Sequence, residues 1–178
     1  KTYAQGPGLT VDTKTSGDGR LDAETACLIV QQPGFLGYIE DMQALSKMAH
    51  EIGALLVVSA DPMSLGMFKP PAEYDADIVV GEGQTLGIPP TYGGPYVGIF
   101  ACKDRYMRQM PGRIVGRTVD TQDRSGYVLT LQTREQHIRR ERATSNICTA
   151  VALIALMTTV YMGSLGKRGM RRVAELCY

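Results

Sequence analysis

The sequence lacks any excess of charge: 19 Lys and Arg stand against 18 Asp and Glu, a formal net charge of +1 over 178 residues. A near-neutral chain has no bulk field to hold a polyanion, which argues against nucleic acid and acidic membranes as partners. Histidine is scarce, with only His50 and His137. A metal site would have to recruit carboxylates from scattered segments, so no metal is expected. The four cysteines, Cys27, Cys102, Cys148 and Cys177, form no CxxC pair. Isolated thiols in or beside apolar runs read as reduced and intracellular, and a cytoplasmic location is expected. Cys148 in particular reads as a packed thiol rather than a redox switch. The longest apolar stretch, 150–162, falls short of the roughly 20 residues that span a bilayer, and reads instead as a buried helix. The chain starts at Lys1 without a Met or a charged, apolar, small-residue leader, so no targeting peptide is visible in it, and a fragment of something longer is expected.

What is present is enough for a core: 44% of residues are hydrophobic and 21% charged, in the range of one globular domain. Apolar runs at 26–30 and 54–58, each ending in turn-forming residues, read as strands buried on both faces. Between them Ile39, Met42, Leu45, Met48, Ala49 and Ile52 recur at helical spacing and Gly53 closes the segment, so the unit is βαβ with parallel strands. Further strands are expected at 77–80 and 96–101. Too little chain separates these two for a crossover helix, so the later one is expected to run antiparallel. A short helix from Asp104 must stop before Pro111, and 111–131 reads as an extended or hairpin excursion. Gly163 and Ser164 are expected to end the apolar helix and cap another, with Met170, Val173, Leu176 and Cys177 on one side.

Between the last two strands of the sheet lies Gly81-Glu-Gly-Gln-Thr-Leu-Gly-Ile-Pro-Pro-Thr-Tyr-Gly-Gly-Pro95, a glycine-rich loop at a strand end. Open α/β folds place their chemistry at such ends. Yet the loop contains no Lys, Ser, Cys or His, so it has the form of a site without a nucleophile. Asp61, just past another strand, is placed either to face a ligand such as a pyridinium nitrogen or to cap the turn at Pro62; spacing alone favours the cap. Lys69 and Lys103 are the lysines a cofactor imine would have to use, and neither occupies the strand-end loop. His50 reads as a helix C-terminal or surface residue.

The loop 81–95, together with Met110-Pro-Gly-Arg-Ile-Val-Gly116 and Thr133-Arg-Glu-Gln-His-Ile-Arg-Arg-Glu-Arg-Ala-Thr-Ser-Asn-Ile-Cys-Thr149, resembles the P-protein of the glycine cleavage system, and more closely its first half, the α subunit or subunit 1. The resemblance runs through essentially the whole chain. It implies a pyridoxal-phosphate-dependent transferase fold of the aspartate aminotransferase type: α/β, a mostly parallel sheet with one antiparallel strand, here as a partial large domain (1–162) followed by C-terminal helices. Residues 163–178 would begin a C-terminal domain or a connecting helix.

In that family a catalytic partner, the β subunit, carries the lysine that binds pyridoxal phosphate, and Gln84 matches the lysine position here. Asp61 would match the aspartate beside the pyridine nitrogen. The resemblance therefore implies no catalytic residue in this chain and no cofactor bound covalently by it. It also implies glycine as substrate and a lipoyl-bearing H-protein as acceptor of the aminomethyl group. Thr91, Tyr92, Gly93 and Gly94 would offer two successive glycine amides beside a hydroxyl as an anion cradle for the partner's cofactor, although a tight turn into the next strand explains them equally well.

Arg134, His137, Arg139, Arg140 and Arg142 fall at the spacing of a short helix with Glu135 and Glu141 interleaved. Such runs usually pair internally and remain solvated. By resemblance, Arg134, His137, Arg139, Thr144, Ser145 and Asn146 are candidates for the active-site entrance. Two rival readings remain open: a chain that itself binds pyridoxal phosphate and is catalytic, or a nucleic-acid-binding module using the arginine clusters 134–142 and 167–172.

Overall fold

The computed structural model describes residues 1–14, 20–132, 135–143 and 151–178. After one helical turn at Thr2–Gln5, the chain forms β1 (Cys27–Gln32), α1 (Met42–Glu51), β2 (Leu55–Ala60), β3 (Ile78–Glu82) and β4 (Gly98–Cys102). The four strands make one sheet in the order β1-β2-β3-β4. The first three are parallel and β4 is antiparallel to β3, as the short connection required.

Helix α1 starts at Met42 rather than near Ile39 because Asp41 caps it, its carboxylate accepting the Ala44 amide at 3.0 Å. The helix turns Met42, Ser46 and Ala49 inward. Leu56 and Val58 on β2 are fully buried, and with Met42, Tyr74 and Ala76 they form the core. Burying each such side chain contributes roughly 1.5–3 kcal/mol.

The expectation that β1 is buried on both faces does not hold. It is an edge strand among the described residues, its burial alternates, and Ile29 is 67% exposed. Strand β3 also runs two residues further than the expected 77–80, so Gly81 and Glu82 pair with Ile99 and Gly98 and the loop proper begins at Gly83. Glycine is required at 81 by a close approach: a Cβ there would lie 2.5 Å from the Ala60 carbonyl oxygen on the neighbouring strand.

After a short 3-10 helix at Asp104–Gln109, which stops before Pro111 as expected, strands β5 (Ile114–Val119) and β6 (Ser125–Thr130) form a separate antiparallel hairpin. Its turn is organised by Asp120, which accepts the Gln122 and Arg124 amides at 2.8 and 3.0 Å. A four-residue helix α2 (Gln136–Arg139) and a 3-10 turn (Arg140–Arg142) follow.

The last element, α3, spans Ala152–Cys177 and is broken at Gly166, which takes φ 60° and ψ −178°. The break therefore lies beyond the expected Gly163 and Ser164. The apolar first half is not a buried helix either. Ile154 and Thr158 are buried, but Leu153, Leu156 and Val160 are 58–68% exposed, because only a narrow stripe meets the rest of the described chain. In the second half Met170 and Val173 pack with Met63, Leu86 and Ala174, whereas Leu176 and Cys177 are exposed. No helix among the described residues is long and apolar enough to cross a membrane.

Candidate functional site

Parallel strands β1, β2 and β3 give the sheet two unlike edges, and the sequence-predicted residues divide between them. At the carboxyl edge, the loop after β2 brings Asp61 against the loop after β3. The Asp61 carboxylate accepts the Met63 amide at 3.0 Å and the Thr85 hydroxyl at 2.9 Å. The Asp61 carbonyl accepts the Ser64 hydroxyl at 2.7 Å. Asp61 thus organises its own turn, as the cap reading holds, and ties the two loops together.

Gln84, half-buried in a 3-10 turn at Gly83–Thr85, donates its side-chain amide to the Ile88 carbonyl at 2.6 Å. Further along, Thr91–Gly93 form an exposed turn in which the Thr91 hydroxyl donates to the Gly94 carbonyl and the Gly94 amide to the Thr91 carbonyl, both at 3.1 Å. Tyr92 is fully exposed, and no other atom lies within 4 Å of the place a Gly93 side chain would take. The turn is therefore sterically open to an approaching group, although it uses the Gly94 N–H internally.

Beside Asp61 a cavity of about 120 Å³ is walled by Met63, Met67, Phe68, Ala174 and Tyr178. Sites that enclose ligands of cofactor size are typically about 300–1,000 Å³. The second half of α3 occupies this edge: the Tyr178 and Phe68 rings meet edge to face at 5.7 Å, and Gly66 packs against Ala174. An imine also needs an amine, and Gln84 supplies an amide. The residues present do not fit a covalently held pyridoxal phosphate.

The amino edge is organised differently. Asp77, immediately before β3, is completely buried. Its carboxylate accepts from His50 Nε2 at 2.7 Å, the Leu56 amide at 2.9 Å, Lys103 Nζ at 2.9 Å and Arg105 Nη2 at 2.7 Å. Burial pushes its pKa up, but the hydrogen bonds from Lys103, His50, Leu56 and Arg105 outweigh this and hold the carboxyl well below the usual carboxylate range. Lys103 also pairs with Asp75 at 2.7 Å. Burial lowers the Lys103 pKa, yet its hydrogen bonds to Asp75 and Asp77 raise it overall, so the amine is held as ammonium. Lys103 is thus a structural cation on the edge opposite Gln84, and Lys69 is an exposed residue in the loop before Pro70. His50 ends α1 as expected, but its ring is not a surface group: it reaches inward to Asp77.

A third cluster joins two of the sequence motifs. Arg113, just before the hairpin, places Nη2 2.9 Å from His137 Nε2 and Nε 3.6 Å from the carboxylate of Glu135. Glu135 is only 13% exposed, and His137 Nε2 lies 3.9 Å from it. Arg139 stands on the same short helix α2. Arg134, Thr144, Ser145, Asn146 and Cys148 lie outside the described residues. In the second arginine cluster Arg171 and Arg172 both pair with Glu175. No group of His, Cys, Asp and Glu suited to a metal ion occurs among the described residues.

Sequence reasoning missed Asp77, Arg105 and Arg113. The one signal for Asp77 was a carboxylate at the head of an apolar run. Arg113 stood inside a quoted motif, with no pattern linking it to the later one.

A family model described as glycine cleavage system P-protein matches residues 1–178. Among curated relatives, "Probable glycine dehydrogenase (decarboxylating) subunit 1" of Desulforamulus reducens is 55% identical over 186 residues, covering 99% of this chain and 42% of the relative. The protein of the same name from Thermomicrobium roseum is 57% identical over 158 residues, covering 89% and 35%. Among solved structures, the crystal structure of glycine decarboxylase (P-protein) of the glycine cleavage system in inhibitor-bound form superposes with a TM-score of 0.82 at 50% identity, over 85% of this chain and 35% of that one. The chain thus spans well under half the length of the proteins it matches, and it shares their fold.

Proposed function

Because this chain belongs to the glycine cleavage system P-protein family, we propose that it is a segment of the subunit that lacks the cofactor lysine and completes an active site carried mainly by a partner. Pyridoxal phosphate, held covalently by that partner β subunit, supplies the electron sink for decarboxylation of glycine. A lipoyl-bearing H-protein then takes the aminomethyl group. The observation that carries the reading is Gln84: the strand-end position holds an amide bonded to Ile88, where an imine-forming amine would be needed.

In this reading the chain's own residues bind and shape rather than react. The open turn Thr91–Gly93 with Gly94 presents backbone to a phosphate approaching from the partner, which an exposed turn with no crowding around Gly93 allows. The segment containing Arg134, His137 and Arg139, with Thr144, Ser145 and Asn146 after it, borders the approach to the shared cleft. Residues 1–162 are assigned to the large domain, and 163–178 to the start of a C-terminal domain or to a connecting helix that packs back on the sheet through Met170, Val173 and Ala174. The chain's residues form no covalent bond to cofactor or substrate.

The test is to express the full-length subunit alone and together with its catalytic partner. Alone, with pyridoxal phosphate added, it is expected to show no visible absorbance band and no exchange of the glycine carboxyl with bicarbonate; paired, exchange appears. A visible band in the subunit alone that disappears on substituting Lys69 or Lys103 overturns the reading.

A further inference from the structure

The motif at 110–116 has no part in the function proposed above, yet the fold brings its Arg113 against Glu135 and His137 of the later motif. Helix α2 has four residues and is followed at once by Arg140 with a positive φ of 52°. So short a helix cannot hold its own conformation, since nucleation is unfavourable and about 12–15 residues are needed even for marginal stability in water. Its position must come from tertiary anchors. Arg113 is one: it directly precedes a strand whose first residue, Ile114, is locked twice, by ladder pairing with Thr130 and by the Thr130 hydroxyl donating to the Ile114 carbonyl at 3.0 Å.

From this firm base the guanidinium reaches two residues of the segment, His137 and Glu135. Ordinary surface ion pairs contribute about 0–1 kcal/mol. This one differs, because Glu135 is 13% exposed and the same guanidinium also meets the imidazole. Arginine carries donors only. His137 Nε2 must therefore accept from Arg113, which places the ring proton on Nδ1 and leaves an N–H donor for a further group.

We infer that Arg113 is a positioning residue for the entrance segment: it anchors Glu135 and sets His137 in the Nδ1–H tautomer, presenting a donor to a carboxylate such as that of incoming glycine. The inference rests on the reading of this segment as the border of the shared cleft. It adds a residue from a different motif and gives it a definite task.

The experiment uses the full-length subunit paired with its catalytic partner, and glycine–bicarbonate exchange as readout. Arg113→Met is expected to raise KM for glycine about fivefold or more while kcat stays within about twofold, as loss of a binding contact does. His137→Ala should do the same, and the double variant should be no worse than either alone, because the two act as one unit. Arg113→Lys, a point charge in place of a planar fork, should give an intermediate KM.

An unchanged KM in Arg113→Met beside a raised one in His137→Ala overturns the positioning role and leaves the entrance reading standing. Unchanged values in both overturn the entrance reading and the inference with it. Where Arg113→Met fails to pair with the partner, Arg113→Lys decides: a raised KM with intact pairing supports the role, and an unchanged one overturns it.

Discussion

The two edges of the sheet divide the chain's polar residues into opposite designs. At the amino edge, one buried carboxylate, Asp77, draws His50, Leu56, Lys103 and Arg105 onto two oxygens, so that α1, β2, β3 and the segment after β4 are joined at one point. At the carboxyl edge, Asp61, Thr85, Gln84 and Thr91 bond to turns and to each other, and the turn at Thr91–Gly93 stays open. Charge concentrated in the interior holds the fold together. Uncharged and sterically open backbone at the other end is what a ligand or a neighbouring subunit can use. Lys103 belongs to the first edge, where Asp75 and Asp77 hold it, and Gln84, the position proposed to match a cofactor lysine, belongs to the second.

The comparison breaks most sharply at Asp77. Replacing it by Ala in the full-length subunit leaves Lys103 and Arg105 facing an empty site and the Leu56 amide unpaired, and is expected to cost about 3–5 kcal/mol. A thermal or urea melt checks this, and a loss within experimental error would show that the amino edge is not the anchor. Acid probes the same carboxylate more gently. Its pKa is lower folded than unfolded, so its contribution is fully present above the ordinary carboxylate range near about pH 4 and is lost as pH falls through the depressed folded value. Urea melts at descending pH are expected to show the intact protein losing stability below about pH 4, with Asp77→Asn losing less over that interval.

At the carboxyl edge the expected effects fall on activity. Gly93→Ala with Gly94→Ala, at φ of 97° and 145°, should lower exchange about tenfold or more with subunit pairing intact, the scale of one lost hydrogen bond to a charged group. Unchanged exchange would make the turn purely structural. Gln84→Lys is expected to give no visible cofactor absorbance in the subunit alone, since Asp61 is already engaged and α3 fills that edge. A band in that variant would show that the amine alone was missing. The smallest effect is expected at exposed Lys69, where Ala should change stability by no more than about 0.5 kcal/mol and leave exchange untouched.

Much of the sheet was legible because β2 and β3 are apolar runs closed by Pro, Gly and Asp, and because the span between β3 and β4 is too short for a crossover. The motif-bearing loop was equally visible in its glycines and in its lack of a nucleophile. The failures have a common physical cause. Apolar periodicity records that a face is to be covered, without recording by what: β1 and the first half of α3 read as buried, yet Ile29, Leu153, Leu156 and Val160 are bare within this segment. Asp77 escaped notice because its side-chain partners His50 and Arg105 stand 27 and 28 residues away. No local pattern encodes such a meeting. Arg113 and His137, 24 residues apart, are the same case at the hairpin.

Gly81 carries a consequence for which substitutions the carboxyl edge can accept. With the Ala60 carbonyl 2.5 Å from where a Cβ would stand, even one methyl at 81 would act as a wedge between β2 and β3. Asp61 follows directly on Ala60, and Thr85 stands four residues beyond Gly81, so the wedge would be levered into the 2.9 Å Thr85–Asp61 bond. The two loops are thus kept in step by an absent atom. The side chain at 84, which bonds within its own loop to Ile88, can change without forcing β2 and β3 apart, whereas residue 81 has no room for a single carbon.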